Sequence, residues 1–162
     1  MSATSPKTAA SRHLLERERE LAALAAALAD ARQGEGSLVA LSGAAGTGKT
    51  SLLAAAVEEA SGLGLTVRRA RGSEFEQGLS FGVVRQLFEQ PLRAAEPAVR
   101  ERLLSGAAAA AGRLFGDAPL DRLPEGDGGF ATLHGLYWLA AGLAADQPLL
   151  LAVDDIHWVD AP

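Results

Sequence analysis

Eight consecutive residues have the types and spacing that phosphate binding requires. Residues 43–50 read Gly-Ala-Ala-Gly-Thr-Gly-Lys-Thr, the pattern of a P-loop. Its three glycines allow backbone angles that other residues resist, so consecutive N–H groups can turn inward around an anion. Lys49 is predicted to reach the β- and γ-phosphates, and the Thr50 hydroxyl to bind Mg²⁺. The pattern therefore predicts binding of ATP or ADP with Mg²⁺ by Gly43, Ala44, Ala45, Gly46, Thr47, Gly48, Lys49, Thr50 and the adjoining Ser51.

The flanks of this motif decide between a P-loop and a glycine-rich hinge. Residues 38–42 form a short apolar run, Leu-Val-Ala-Leu-Ser, which predicts a buried strand before the motif. Residues 50–60 are rich in Ala and Leu and lack Pro and Gly, which predicts a helix after it. That helix would point the positive end of its dipole at the same anion. Both flanks favour the P-loop.

A second stretch has the character of a buried strand that ends in acid. Residues 149–153 are continuously apolar and lead into Asp154 and Asp155. Ligands of open α/β sheets bind beyond the carboxyl ends of strands. We predict that Asp154 holds Mg²⁺, mostly through water, and that Asp155 orients or deprotonates an attacking water. Asp155 and Lys49 are the predicted catalytic residues.

The acidic stretch has a competing interpretation as a metal cluster. Asp154, Asp155, His157 and Asp160 are all groups that ligate transition metals. Such an ion would compete with the Mg²⁺ role, so we favour the magnesium interpretation.

Composition limits the classes of function. The chain has 162 residues, 48% of them apolar, a net charge of −5 and no cysteine. The length predicts one domain or part of one, and the acidic balance argues against a nucleic-acid-binding surface. Residues 1–11 are polar and predicted to be disordered, without the apolar core of a signal peptide. No apolar run reaches membrane-spanning length, so a cytoplasmic protein with no membrane contact is predicted.

The remaining segments are predicted from periodicity and helix signals. Phe130, Leu133, Tyr137 and Ala140 are predicted to form the buried face of a late helix, with His134 as a packing residue at its edge. The arginines at 68, 69 and 71 are interpreted as a solvated basic turn, with phosphate or nucleic-acid binding as the alternative. The other predicted elements are helices at 12–32, 80–94 and from Pro97 toward the alanine run at 107–111, a strand at 65–67, and a loop at 116–129.

Three stretches together resemble one family. Residues 14–21, Leu-Leu-Glu-Arg-Glu-Arg-Glu-Leu, look like the opening L-V-G-R-E-x-E-L, with Glu16 where that family has glycine. The P-loop is the second stretch, and Asp-Asp-Ile-His-Trp-Val-Asp at 154–160 is similar to D-D-x-H-W-A-D. The chain resembles the N-terminal ATPase domain of the large ATP-binding LuxR-type transcriptional regulators, in the STAND branch of the AAA-like P-loop ATPases.

The resemblance implies a fold and a biological role. The fold would be α/β, a three-layer AAA-like P-loop NTPase with a parallel sheet flanked by helices, spanning residues 12–162 and incomplete at its C-terminus. Arg17 would lie near the adenine. DNA would be bound only through a C-terminal helix-turn-helix absent from this chain, and self-association would belong to the full-length protein. ATP binding and slow hydrolysis would set an on or off state, with turnover weak or absent in this chain alone.

Two other functions stay open, and strand order separates one of them. The alternatives are an AAA-type motor or loader that acts on DNA or protein, and a P-loop kinase. In the AAA-like division another strand lies between the P-loop strand and the strand that ends in acid. We therefore expect residues 38–42 and 149–153 to run parallel but two strand spacings apart, roughly 10 Å. Direct pairing of the two would favour the kinase.

Overall fold

The computed structural model describes residues 16–74, 81–116 and 126–158. The predicted disorder at 1–11, the start of the first predicted helix, most of the predicted loop and Asp160 lie outside these ranges. The elements in chain order are helix α1 (Glu18–Arg32), helix α2 (Lys49–Gly62), strand β1 (Thr66–Arg71), helix α3 (Gly82–Ala94), helix α4 (Pro97–Leu103), a 3₁₀ segment (Gly106–Leu114), helix α5 (Asp127–Asp146), strand β2 (Leu149–Asp154) and a 3₁₀ turn (Ile156–Trp158).

The chain divides into two compact units, and the first contains α1 and α2. Leu24 of α1 is buried with Leu52 and Ala56 of α2 in one cluster. Leu28 of α1 is buried in a second cluster, with two residues near the C-terminal end of α2, Ala60 and Leu65. Leucines four residues apart on α1 thus pack against leucine and alanine side chains of α2 and the residues just after it, and this fixes α1 against the helix that follows the phosphate loop. The predicted helices are confirmed at 18–32 and 49–62.

The strand predicted before the phosphate loop is wrong. Residues 35–43 have no regular secondary structure, and the side chains of Leu38 and Val39 are 96% and 46% exposed. An apolar run forms a strand only where a neighbouring strand accepts its backbone hydrogen bonds. In the described part of the chain the sheet has two strands, β1 and β2. Direct pairing of 38–42 with 149–153 is therefore not observed, whereas the 10 Å spacing stays a prediction.

The two strands that do form run parallel. The N–H of Thr66 donates to the carbonyl of Pro148 at 2.8 Å, and the N–H of Gly72 donates to the carbonyl of Asp154 at 2.9 Å. From the first hydrogen bond to the second, the donor and the acceptor each move six residues toward the C-terminus, which is the register of parallel strands. The carboxyl ends of β1 and β2 consequently lie side by side. The predicted strands at 65–67 and 149–153 are confirmed, and each extends further than predicted.

The second unit is built around the packing of α5 on the 3₁₀ segment. A Cβ on Gly135 would lie 2.8 Å from the backbone nitrogen of Ala111 and 3.2 Å from its Cβ. Only a glycine permits this approach, because real Cβ contacts are longer than the first of these distances. Leu92, Leu114 and Leu139 are almost completely buried in this unit.

The face of α5 that packs inward is not the predicted one. The buried residues are Gly129, Thr132, Gly135 and Leu139. The predicted face is exposed instead, by 72% at Phe130, 47% at Leu133 and 66% at Tyr137. Small residues at three of the four buried positions let α5 lie close to the alanine-rich segment, and large aromatic side chains would hold the two apart.

His134 is exposed and contacts two aromatic residues of its own helix. Its imidazole stacks on Phe130, with ring centroids 5.8 Å apart, and its Nε2 accepts a hydrogen bond from Trp138 Nε1 at 3.0 Å. A residue of its own helix therefore provides the hydrogen bond to its imidazole. His134 lies on the surface and not at the edge of a buried face.

Candidate functional site

The loop at 43–48 takes the backbone conformation that its glycines permit. Gly46 and Gly48 have φ angles of 77° and 83°, in the left-handed region that side chains disfavour. Gly48 is the N-cap of α2 and has no side chain with which to cap the helix. The first-turn amides of α2 lack the intrahelical acceptors that later amides have, so an anion is well suited to accept from them.

Lys49 folds back over the loop that precedes it. Its Nζ donates to the carbonyl oxygens of Gly43 and Ala44, each at 2.9 Å. An ammonium group has three N–H donors, so one remains for a phosphate oxygen while the other two hold the loop. Lys49 thus places a positive charge at the mouth of the glycine-rich turn.

Thr47 closes the tip of the loop. Its Oγ1 donates to the carbonyl of Ala44 at 2.8 Å, and its own N–H points to the same oxygen at 3.4 Å. A Cβ on Gly43 would lie 2.9 Å from Thr47 Oγ1, so the loop requires glycine there to keep this turn. The structure therefore brings Gly43, Ala44, Thr47 and Lys49 together at the start of α2.

Arg17 contacts the loop backbone, a contact that sequence reasoning missed. Its Nη2 donates to the carbonyl oxygen of Thr47 at 3.2 Å, and its Nη1 pairs with Glu20 at 2.7 Å. A backbone hydrogen bond, and then the bond from Arg17, hold the pKa of Glu20 below its ordinary value. The preceding residue, Glu16, has a φ of 58°, a conformation that suits the glycine of the resembled motif. The backbone bends there in the way glycine would allow.

The acidic pair stands at the end of β2. Asp154 is the last residue of the strand, and its Oδ1 accepts a hydrogen bond from the N–H of Asp155 at 3.0 Å. Asp155 has a φ of 52°, a left-handed conformation that aspartate adopts more readily than most residues. Its carboxylate Oδ2 accepts from Arg71 Nε at 2.8 Å and Nη2 at 2.7 Å.

Arg71 is itself held in place by a side chain of α3. The backbone N–H of Arg71 donates to Gln86 Oε1 at 2.9 Å, and the backbone carbonyl of Arg71 accepts from Gln86 Nε2 at 3.1 Å. The hydrogen bonds to Asp155 raise the pKa of Arg71 above its ordinary value. The interpretation of Arg71 as part of a solvated basic turn is therefore incomplete, because its guanidinium, although exposed, is paired with a predicted catalytic carboxylate. The sequence offered a signal for this pair, since the two residues follow predicted strands and parallel strands place their carboxyl ends at one edge of the sheet.

Two further properties bear on the site and its surroundings. Within residues 16–74, 81–116 and 126–158, no three His, Asp or Glu side chains converge as a metal cluster, and Asp160 of that alternative lies outside. Over the same ranges, none of the helices has the length and apolar character needed to cross a membrane.

A comparison with protein-family models matches residues 13–162 to the AAA ATPase domain. The chain belongs to that family. The family supports a P-loop α/β fold and nucleotide binding for this domain. Neither the curated proteins nor the solved structures contain a significant match.

Proposed function

We propose that residues 43–50 of this AAA ATPase domain bind the phosphates of Mg²⁺–ATP or Mg²⁺–ADP. The observation that carries the proposal is the placement of Lys49, whose ammonium lies on the Gly43 and Ala44 carbonyls at the mouth of the loop. Gly48 in the left-handed conformation and the uncapped start of α2 supply backbone donors beside that charge. Ala45, Gly46, Thr47, Thr50 and Ser51 complete the proposed phosphate site.

The side chains assigned to magnesium have the chemistry that this ion prefers. Thr50 supplies a hydroxyl in the first turn of α2, and Asp154 supplies a carboxylate at the end of β2. Oxygen-only ligands suit Mg²⁺, which keeps several waters and is held by one or two carboxylates and substrate phosphates. When bound, the ion neutralises charge on the phosphates. The protein's part is to hold Thr50 and Asp154 as ligands and to keep Asp155 for the attacking water.

We further propose that the domain is a nucleotide switch of a LuxR-type transcriptional regulator with a three-layer AAA-like sheet, active in the cytoplasm. The sequence similarities at 14–21 and 154–160 support this role. In that case DNA contact comes from a helix-turn-helix outside these residues, and self-association belongs to the whole regulator. A motor or loader ATPase fits the family equally well. The kinase is disfavoured, because the chain belongs to the AAA ATPase family.

DNA binding that depends on the bound nucleotide tests the switch role. Sequence-specific DNA affinity that differs between the ATP and ADP forms supports the regulator. Translocation on DNA or remodelling of a protein substrate, without sequence preference, supports the motor or loader.

The hydrolytic role of Asp155 gives a separate prediction. Asp155→Asn keeps the shape of the side chain and removes its charge, so any turnover should fall by about 10²-fold or more while ATP affinity changes little. Phosphate release over hours measures turnover, and calorimetry measures binding. Asp146→Asn is the matched control, because Asp146 forms a similar exposed ion pair, with Arg102 at 2.6 Å.

Each outcome bears on this role. Equal measurable rates for wild type and Asp155→Asn contradict it. A loss of ATP affinity equal to the loss of rate would reassign Asp155 to ground-state binding.

A further inference from the structure

The contact between Arg17 and the phosphate loop suggests a function for α1. Arg17 is the N-cap of α1, and its guanidinium reaches a carbonyl 30 residues further along the chain. The side chain is 36% exposed, and its second terminal nitrogen, Nη1, is paired with Glu20. Leu24 of α1 packs on Leu52 of α2, the helix that begins at the phosphate loop. This packing fixes the position of Arg17 relative to the loop.

The carbonyl that Arg17 holds belongs to the peptide bond between Thr47 and Gly48. A trans peptide is planar, and its C=O and N–H point in opposite directions. Holding the Thr47 oxygen therefore also fixes the direction of the Gly48 N–H, one of the backbone donors at the start of α2.

The glycine at position 48 leaves this peptide free to rotate. Gly48 has a φ of 83°, and glycine occupies negative φ about as readily. Rotation of the 47–48 peptide would turn the Gly48 N–H away from an anion at little steric cost. A charge-assisted hydrogen bond to the Thr47 oxygen opposes that rotation.

We propose that Arg17 is a positioning residue for the phosphate site: it fixes the Thr47–Gly48 peptide so that the Gly48 N–H faces the bound phosphates. The proposal rests on the proposed function of residues 43–50. It differs from the adenine contact that the sequence resemblance implies, because a residue that acts on the loop affects every ligand with phosphates, whatever its base.

The test compares a ligand that has a base with one that lacks it. Binding of Mg²⁺–ATP and of Mg²⁺–tripolyphosphate is measured by calorimetry for wild type, Arg17→Ala and Arg17→Lys. Arg19→Ala is the matched control, an exposed arginine on the same turn of α1. Arg17→Ala should weaken the binding of both ligands by the same factor, about 10-fold. This is the lower end of the loss expected for a charge-assisted hydrogen bond, because Arg17 contacts the loop and not the phosphate. Arg17→Lys, which keeps a charged donor, should restore most of the affinity, and Arg19→Ala should match wild type.

Two further readouts separate positioning from general stability. The thermal midpoint of Arg17→Ala without nucleotide should equal that of wild type. The Gly48 amide resonance of the Mg²⁺–ADP complex should lose its hydrogen-bonded shift in Arg17→Ala and recover it in Arg17→Lys. A lowered midpoint with no rescue by lysine would mean a merely structural arginine and would overturn the proposal.

The remaining outcomes are also decisive. Weaker ATP binding with unchanged tripolyphosphate binding would assign Arg17 to the base and overturn the proposal, as would unchanged binding of both. A wild-type chain that binds ATP but not tripolyphosphate would contradict it too. A wild-type chain that binds neither ligand would refute the proposed function itself, and that result is distinguishable because it involves no substitution.

Discussion

Lys49→Ala should weaken binding of Mg²⁺–ATP by about 100-fold, the loss expected for a charge-assisted hydrogen bond to phosphate. The substitution has two effects in this structure. It removes the ammonium from the mouth of the loop, and it leaves the carbonyls of Gly43 and Ala44 without the donor that holds them 2.9 Å away. Calorimetric titration of ATP into wild type and variant measures the change.

The control for this prediction is an arginine in the second unit. Arg93→Ala removes a positive charge that pairs with Glu89 on α3, so ATP affinity should stay at the wild-type value. Thermal unfolding without nucleotide shows whether Lys49→Ala keeps its fold. Equal ATP affinity for wild type and a folded Lys49→Ala would contradict the assignment of residues 43–50.

Leu139→Ala should destabilise the second unit by about 2–5 kcal/mol, the usual cost of truncating a buried leucine. Leu139 has no exposed surface, and it lies on the face of α5 that packs inward. Tyr137→Ala, two residues away, is the matched control. Its side chain is 66% exposed, so its loss should change the free energy of unfolding by about 0.5 kcal/mol or less. Urea unfolding of the three proteins measures both values.

The comparison also tests which face of α5 is buried. If Tyr137→Ala costs as much as Leu139→Ala, the face of Phe130, Leu133 and Tyr137 is buried in solution and the observed orientation is wrong. Circular dichroism of the folded state shows whether either variant loses helix before unfolding begins.

Local features were predictable from the sequence because they depend on neighbours in the chain. The start of α2 after the glycine-rich loop follows from Gly48 and Lys49, and β2 follows from its continuous apolar run. The orientation of α5 was not predictable in this way, since the helix carries apolar residues on several faces. Its inward face was decided by the fit of Gly135 to the alanine-rich 3₁₀ segment, which is a tertiary property.

The predictions that failed or were incomplete involve partners distant in sequence. Residues 38–42 have the composition of a strand, but a strand also needs a neighbour, and composition does not supply one. Arg71 and Asp155 are 84 residues apart and meet because β1 and β2 are parallel and end together. The bond from Arg17 to Thr47 likewise depends on how α1 packs on α2.

Amide mapping by nuclear magnetic resonance tests nucleotide binding by the loop most directly. Mg²⁺–ADP is titrated into the ¹⁵N-labelled chain, and the shift of each backbone amide is followed. The largest shifts are expected at residues 43–50, with the Gly48 and Lys49 amides moving as phosphate hydrogen bonds form. Saturable shifts confined to other residues, or no shifts at millimolar nucleotide, would contradict nucleotide binding by the loop.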